Sequence, residues 1–152
     1  MPPHEIERQA IELDSLLTEL IKRYQFRDRN TICCEDVTVS QCYALKELGQ
    51  EGSLAMTRLA ERMRLTISTL TRIVDQLERK GYAKRRRLPA DRRIVHVELT
   101  PAGRSVLRRI ETLIRESECN VLRRLSRGER EGLLTGLRRL NVALDARDQG
   151  TQ

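Results

Sequence analysis

Aromatic residues are nearly missing from this 152-residue chain: one Phe, three Tyr and no Trp. That scarcity argues against an aromatic cage or a base-stacking platform for single strands. There is no run of eighteen apolar residues, so no membrane span is expected. The opening Met1-Pro-Pro-His-Glu-Ile-Glu lacks the basic and apolar stretches of a signal peptide, and a cytoplasmic protein is expected. Histidine occurs twice, and there is no phosphate loop, Gly-x-Ser-x-Gly or His-Glu-x-x-His. A cysteine nucleophile would have no histidine base placed for it, so the sequence does not read as an enzyme. Four cysteines, at positions 33, 34, 42 and 119, do not read as a disulfide framework in a chain with no secretory signal.

What the chain has is positive charge in one place. The net charge is +7, with 25 of the 29 basic residues arginine. Residues 1–57 carry 6 basic and 10 acidic side chains, residues 58–109 carry 15 and 5, and residues 110–152 carry 8 and 7. A basic block between acidic and near-neutral flanks is the footprint of a polyanion-binding surface.

Hydrophobic spacing predicts six helices and one hairpin. Ile6, Ala10, Leu13, Leu17, Leu20 and Tyr24 form one helical face over about residues 5–26, followed by a loop over 27–36. Thr38 and Gln41 have capping-box spacing for a second helix to about Leu48. Gly49-Gln-Glu-Gly52 ends it, and Ser53 is the expected cap of a short third helix to about Arg62. Thr66 precedes a fourth helix with Ile67, Leu70, Ile73 and Val74 facing inward, closed by a left-handed Gly81. From Tyr82 to Leu99 the period becomes two, which predicts a two-stranded hairpin turning at Leu88-Pro-Ala-Asp-Arg92. Thr100 and Pro101 open a fifth helix to about Leu125. Ser126 and Glu129 form a second capping box, and Leu133, Leu137, Leu140 and Leu144 stripe a sixth helix, with 147–152 as a loose tail.

The third and fourth helices make a helix-turn-helix, which leaves Ser68, Thr69, Thr71 and Arg72 outward at the start of the second member. Short hydroxyls and an Arg there suit base edges in a major groove. The hairpin beside it has six basic residues against two acidic ones, a wing suited to phosphates and a minor groove. Its basic arm offers Lys84, Arg85 and Arg86, and its tip Arg92 and Arg93, with Asp91 placed to orient a guanidinium. The expected fold is therefore mainly α with a small β wing. The expected parts are an N-terminal dimerisation helix and thiol-bearing loop (1–36), a winged helix-turn-helix (37–100) and C-terminal dimerisation helices (101–152). Two amphipathic chain ends predict a homodimer, whose two-fold axis matches palindromic duplex DNA.

The run Leu65-Thr-Ile-Ser-Thr-Leu-Thr-Arg-Ile-Val-Asp-Gln-Leu-Glu-Arg-Lys-Gly81 resembles the recognition helix of the MarR family of transcriptional regulators. Arg87-Leu-Pro-Ala-Asp-Arg-Arg93 and Leu99-Thr-Pro-Ala-Gly103 resemble that family's wing and the entry to its dimerisation helix. The resemblance is specific over about residues 38–104. It implies a homodimeric winged helix-turn-helix repressor, with Asp91 and Arg93 at the wing's acidic and minor-groove basic positions. It also implies that Ser68, Thr69 and Arg72 fall where the recognition helix meets DNA, and many members answer to small phenolic ligands.

The effector has two readings in the sequence. Cys33, Cys34 and Cys42 can be sensory, holding a soft metal or metalloid or meeting an oxidant or electrophile, because a helix N-terminus beside them lowers thiol pKa values. The alternative makes the cysteines packing residues, Cys119 above all, and release the work of a small organic ligand. No other cofactor is implied. A non-specific architectural DNA-binding protein is the competing class. It would not need a hydroxyl-rich helix or amphipathic ends.

Overall fold

The computed structural model describes the backbone of residues 3–32, 36–88 and 91–149. The order is α1 (Pro3–Ile32), α2 (Val39–Glu51), β1 (Ser53–Ala55), α3 (Met56–Met63), α4 (Ile67–Arg79), β2 (Ala83–Leu88), β3 (Asp91–Leu99), α5 (Pro101–Leu122) and α6 (Arg127–Gln149). The chain divides into two compact units, residues 1–112 and 113–152.

The first unit is built on signals visible in the sequence. Thr38 and Gln41 exchange the two hydrogen bonds of a capping box at the start of α2. Thr66 Oγ1 accepts from the Thr69 amide at the start of α4. At its other end Gly81 sits at φ 73°, its N–H donating to Glu78 O and the Tyr82 N–H reaching back to Leu77 O. That double closure is a Schellman motif, and it needs the left-handed conformation glycine adopts without strain. Thr100 caps α5, its Oγ1 accepting from the Gly103 amide at 3.0 Å and donating to Gly81 O at 2.6 Å. The core gathers Leu45 and Leu48 from α2, Leu59 from α3, Leu70, Val74 and Leu77 from α4, Val97 from β3 and Ile110 from α5, all without exposure. In the second unit Ser126 and Glu129 form the expected capping box of α6.

Several boundaries differ from expectation. α1 runs on to Ile32 because no proline or glycine interrupts residues 27–32, and charged residues alone do not stop a helix. α2 continues through Gly49 to Glu51 and stops at Gly52, whose φ is 81°. Ser53 caps nothing: it begins β1 and pairs with Glu98, while Ala55 precedes α3 with no side-chain cap. The wing therefore belongs to a three-stranded antiparallel sheet of order β1-β3-β2. β2 and β3 pair from Ala83↔Leu99 to Arg87↔Val95, with an irregularity between Arg87 and Leu88. Leu88 and Asp91 thus belong to strand ends, and the turn itself lies outside the described residues. α5 ends at Leu122, three residues early, and α6 continues to Gln149, so residues 147–149 are helical.

Candidate nucleic-acid interface

α4 has four sides with different work. Leu70, Ile73, Val74 and Leu77 are buried. Ser68, Thr69 and Arg72 are exposed near its start, as the sequence leads one to expect. Their hydroxyls are held: Thr66 Oγ1 lies 3.1 Å from Ser68 Oγ and 2.9 Å from Thr69 Oγ1. The cap thus orders two candidate base-reading groups before any ligand arrives, which lowers the entropy cost of binding. Thr71 donates to Ile67 O at 2.8 Å and lines a cavity on the wing side. Ile67 was expected inside but is 45% exposed and lines the same cavity. As the first residue of the helix it precedes the stretch of α4 that the core covers. On the side towards α2, Gln76 Oε1 accepts from Gln41 Nε2 at 2.6 Å, and Lys80 Nζ donates to Gln41 Oε1 at 3.3 Å. Gln41 itself is 2% exposed, a buried amide with its polar atoms engaged.

The arm of the wing is less positive than its sequence. Glu98 sits opposite Lys84 in the ladder and pairs with it at 3.0 Å, with Arg86 3.8 Å away. The Lys84 hydrogen bond, helped by the nearby positive charges of Lys84, Arg86 and Arg104, holds the Glu98 carboxyl below the usual range. Arg85 turns to α4: its Nη1 lies 2.7 Å from Asp75 Oδ1 and also meets Glu78 Oε2, while Glu78 Oε1 accepts the Arg85 backbone N–H at 2.7 Å. Arg87 and Arg93 are exposed. The side-chain expectations for Asp91 and Arg92 lie outside the described residues.

Residues the sequence reading passed over also lie here. Arg79 is exposed two turns beyond Arg72 on the same side of α4, and that seven-residue spacing was its only signal. Arg62 of α3 bridges Glu47 at 2.5 Å and Glu51 at 2.9 Å, so this cation joins α2 to α3.

The two described thiols differ in burial. Cys42 is fully buried in α2. Cys119, expected to be core, is exposed on α5; the burial on α5 ends with Ile110, before its position. Cys33 and Cys34 lie outside the described residues. Among the described residues, no cluster of three or more His, Cys, Asp or Glu side chains could hold a metal ion. Among them, too, no helix is long and apolar enough to cross a membrane.

A helix-turn-helix flanked by a β wing, with hydroxyls and arginine on the outer side of its second helix, defines a winged helix-turn-helix protein. The sequence profile of the MarR family matches residues 37–95. A putative transcriptional regulatory protein for the hcr operon of Thauera aromatica is 33% identical over 112 residues, 74% of this chain and 68% of that protein. A MarR family protein from Bacillus stearothermophilus has the same fold, with TM-score 0.83 and 29% identity over 91% of this chain and 97% of that one. A mutant MarR from E. coli, solved in complex with operator DNA, shares the fold at TM-score 0.75 and 22% identity over 87% and 95% of the two chains. The protein belongs to the MarR family of transcriptional regulators. This is a family of regulators, not of enzymes.

Proposed function

We propose that the protein is a homodimeric, cytoplasmic repressor of a palindromic operator. In this reading α4 enters the major groove, where Ser68, Thr69, Thr71 and Arg72 meet base edges. The wing meets the backbone and minor groove through Arg93, with Asp91, Arg92 and the Lys84–Arg86 arm beside it. The observation that carries it is the pair of ordered hydroxyls of Ser68 and Thr69 beside an exposed Arg72 on α4, next to a basic wing. The E. coli protein of the same fold, solved with operator DNA, supports it. The dimer is supported by apolar side chains left exposed on both end helices, among them Ile6, Leu13, Leu20 and Tyr24 on α1 and Leu133, Leu137 and Leu144 on α6.

The test is affinity for a selected palindromic duplex across a range of salt. Binding should fall steeply as salt rises, with a log–log slope of about 0.9 per phosphate contact. Arg93→Ala should weaken binding to every site alike, and Arg72→Ala should erode discrimination between sites. No binding to any palindrome, or binding indifferent to salt, would sink the reading.

Release of DNA is proposed to follow attack on Cys33, Cys34 and Cys42 by a soft metalloid, an oxidant or an electrophile. Cys42 is fully buried in α2, so a reagent reaches its thiol only when the packing around it opens. A second reading, release by a small organic ligand, is favoured by a cavity of about 620 Å³ between α4 and the wing. Its walls are apolar at Ala55, Met56, Ile67, Ile94 and Val95, with the paired Arg85 and Asp75 and with Arg93 at its polar side, which suits a compact aromatic ligand. Arsenite or mild peroxide releasing DNA from the parent but not from Cys33→Ser or Cys34→Ser supports the thiol reading. Release by a small aromatic compound, lost in Ile67→Arg, supports the cavity instead.

A further inference from the structure

The wing's basic arm reads as one DNA-binding stretch in sequence, yet its three cations have different surroundings. Lys84 and Arg86 are each 58% exposed and share one carboxylate, Glu98, on their own sheet. Arg85 is 29% exposed and is drawn to α4, where Asp75 and Glu78 contribute two carboxylates against its one charge. Arg85, Asp75 and Glu78 together carry a net negative charge, which repels phosphate. Glu78 also takes the backbone N–H of Arg85, on a strand that lies at the sheet edge. One side chain of α4 thus holds both the main chain and the guanidinium of β2.

We propose that Arg85, Asp75 and Glu78 form a latch that fixes the wing against the recognition helix, and that Arg85 serves DNA binding as a positioning residue. The wing and α4 must engage the duplex together, so their mutual position has to be set beforehand or its ordering is charged against affinity. Two carboxylates close to a DNA-reading surface are an electrostatic liability. The latch accounts for their presence. The proposal rests on the DNA-binding reading above.

The sign of one substitution separates the latch from plain electrostatics. Glu78→Ala removes a negative charge and places a better helix former in α4. Charge alone predicts tighter DNA binding. The latch predicts weaker binding, by roughly 5- to 30-fold, the span of a loss of one or two kcal/mol. Amide exchange at Arg85 should also quicken while Leu70 and Leu77 stay protected. Glu98→Gln removes the same charge from the wing and serves as the opposite control, since releasing Lys84 and Arg86 should tighten binding. A double-mutant cycle adds an independent check: with a latch, Arg85→Gln combined with Glu78→Ala loses less than the sum of the two single losses. Parent binding with Glu78→Ala as tight or tighter overturns the latch, as does a strictly additive cycle. Failure of the parent to bind duplex overturns the DNA-binding reading instead.

Discussion

Replacing Gly103 with alanine sets helix propensity against packing, and the structure decides the sign. In an open helix the change gains up to about 1 kcal/mol. Here a Cβ would lie 1.9 Å from Tyr82 O and 2.8 Å from Tyr82 C. Tyr82 cannot easily withdraw. Its N–H is bound to Leu77 O at 2.9 Å, and its carbonyl accepts from the Thr100 amide at 3.0 Å. The first turn of α5 must therefore move by about 1.5 Å to reach an ordinary C···O contact, which breaks the Thr100–Tyr82 hydrogen bond. Overpacking costs about 1–3 kcal/mol, and the orphaned polar groups cost about 1–3 kcal/mol more. After the propensity gain the net loss is roughly 1–5 kcal/mol, a fall of about 2–20 °C in Tm for a chain of this size. Thermal unfolding by circular dichroism, at one protein concentration because a dimer is proposed, reads it directly. Gly128→Ala, where a Cβ meets nothing within 4 Å, is the control and should hold or raise Tm. A Gly103→Ala protein melting at or above the parent would refute the packing argument, and with it this explanation of the glycine in Leu99-Thr-Pro-Ala-Gly103.

Two further outcomes follow from polar groups in the first unit. Gln41→Leu leaves Gln76, Lys80 and the Thr38 amide without their shared partner and should cost about 1–3 kcal/mol in urea unfolding; an unchanged midpoint would show that the network holds nothing. Glu98 has a carboxyl pKa lowered first by its Lys84 hydrogen bond. Its contribution to stability is therefore complete above the ordinary carboxylate value and is lost as pH falls through the lower, folded value. In urea midpoints taken between about pH 5 and pH 2.5, Glu98→Gln should show a shallower acid decline than the parent, and an identical decline would refute that role.

The parts legible in the sequence were those written in local chemistry. Capping boxes at Thr38–Gln41 and Ser126–Glu129, the Thr66 and Thr100 caps and the left-handed Gly81 each need a particular side chain within a few residues, so spacing alone discloses them. The Ser68–Thr69–Arg72 side of α4 was legible because the buried Leu70, Ile73, Val74 and Leu77 fix which residues remain outside. What was hidden depends on distant partners. β1 is three residues long, too short for an alternating pattern, and exists because Leu54 lies against Val97. Ser53 consequently imitated a helix cap. The neutralised charge of the wing was hidden for the same reason, since Asp75 and Glu78 meet Arg85 only once α4 has folded beside β2.

Strand β1 also has a bearing on solubility. The stretch of β3 from His96 to Glu98 would otherwise present a line of unpaired amides and carbonyls, a template on which a second molecule could grow an intermolecular sheet. β1 occupies that border from Ser53 to Ala55. The opposite border, β2, is studded with the cations Lys84 and Arg86 and occupied at Arg85 by Glu78. One edge is covered over those three residues and the other is charged. A winged helix-turn-helix regulator can thus keep an apolar central strand in its wing without polymerising through it.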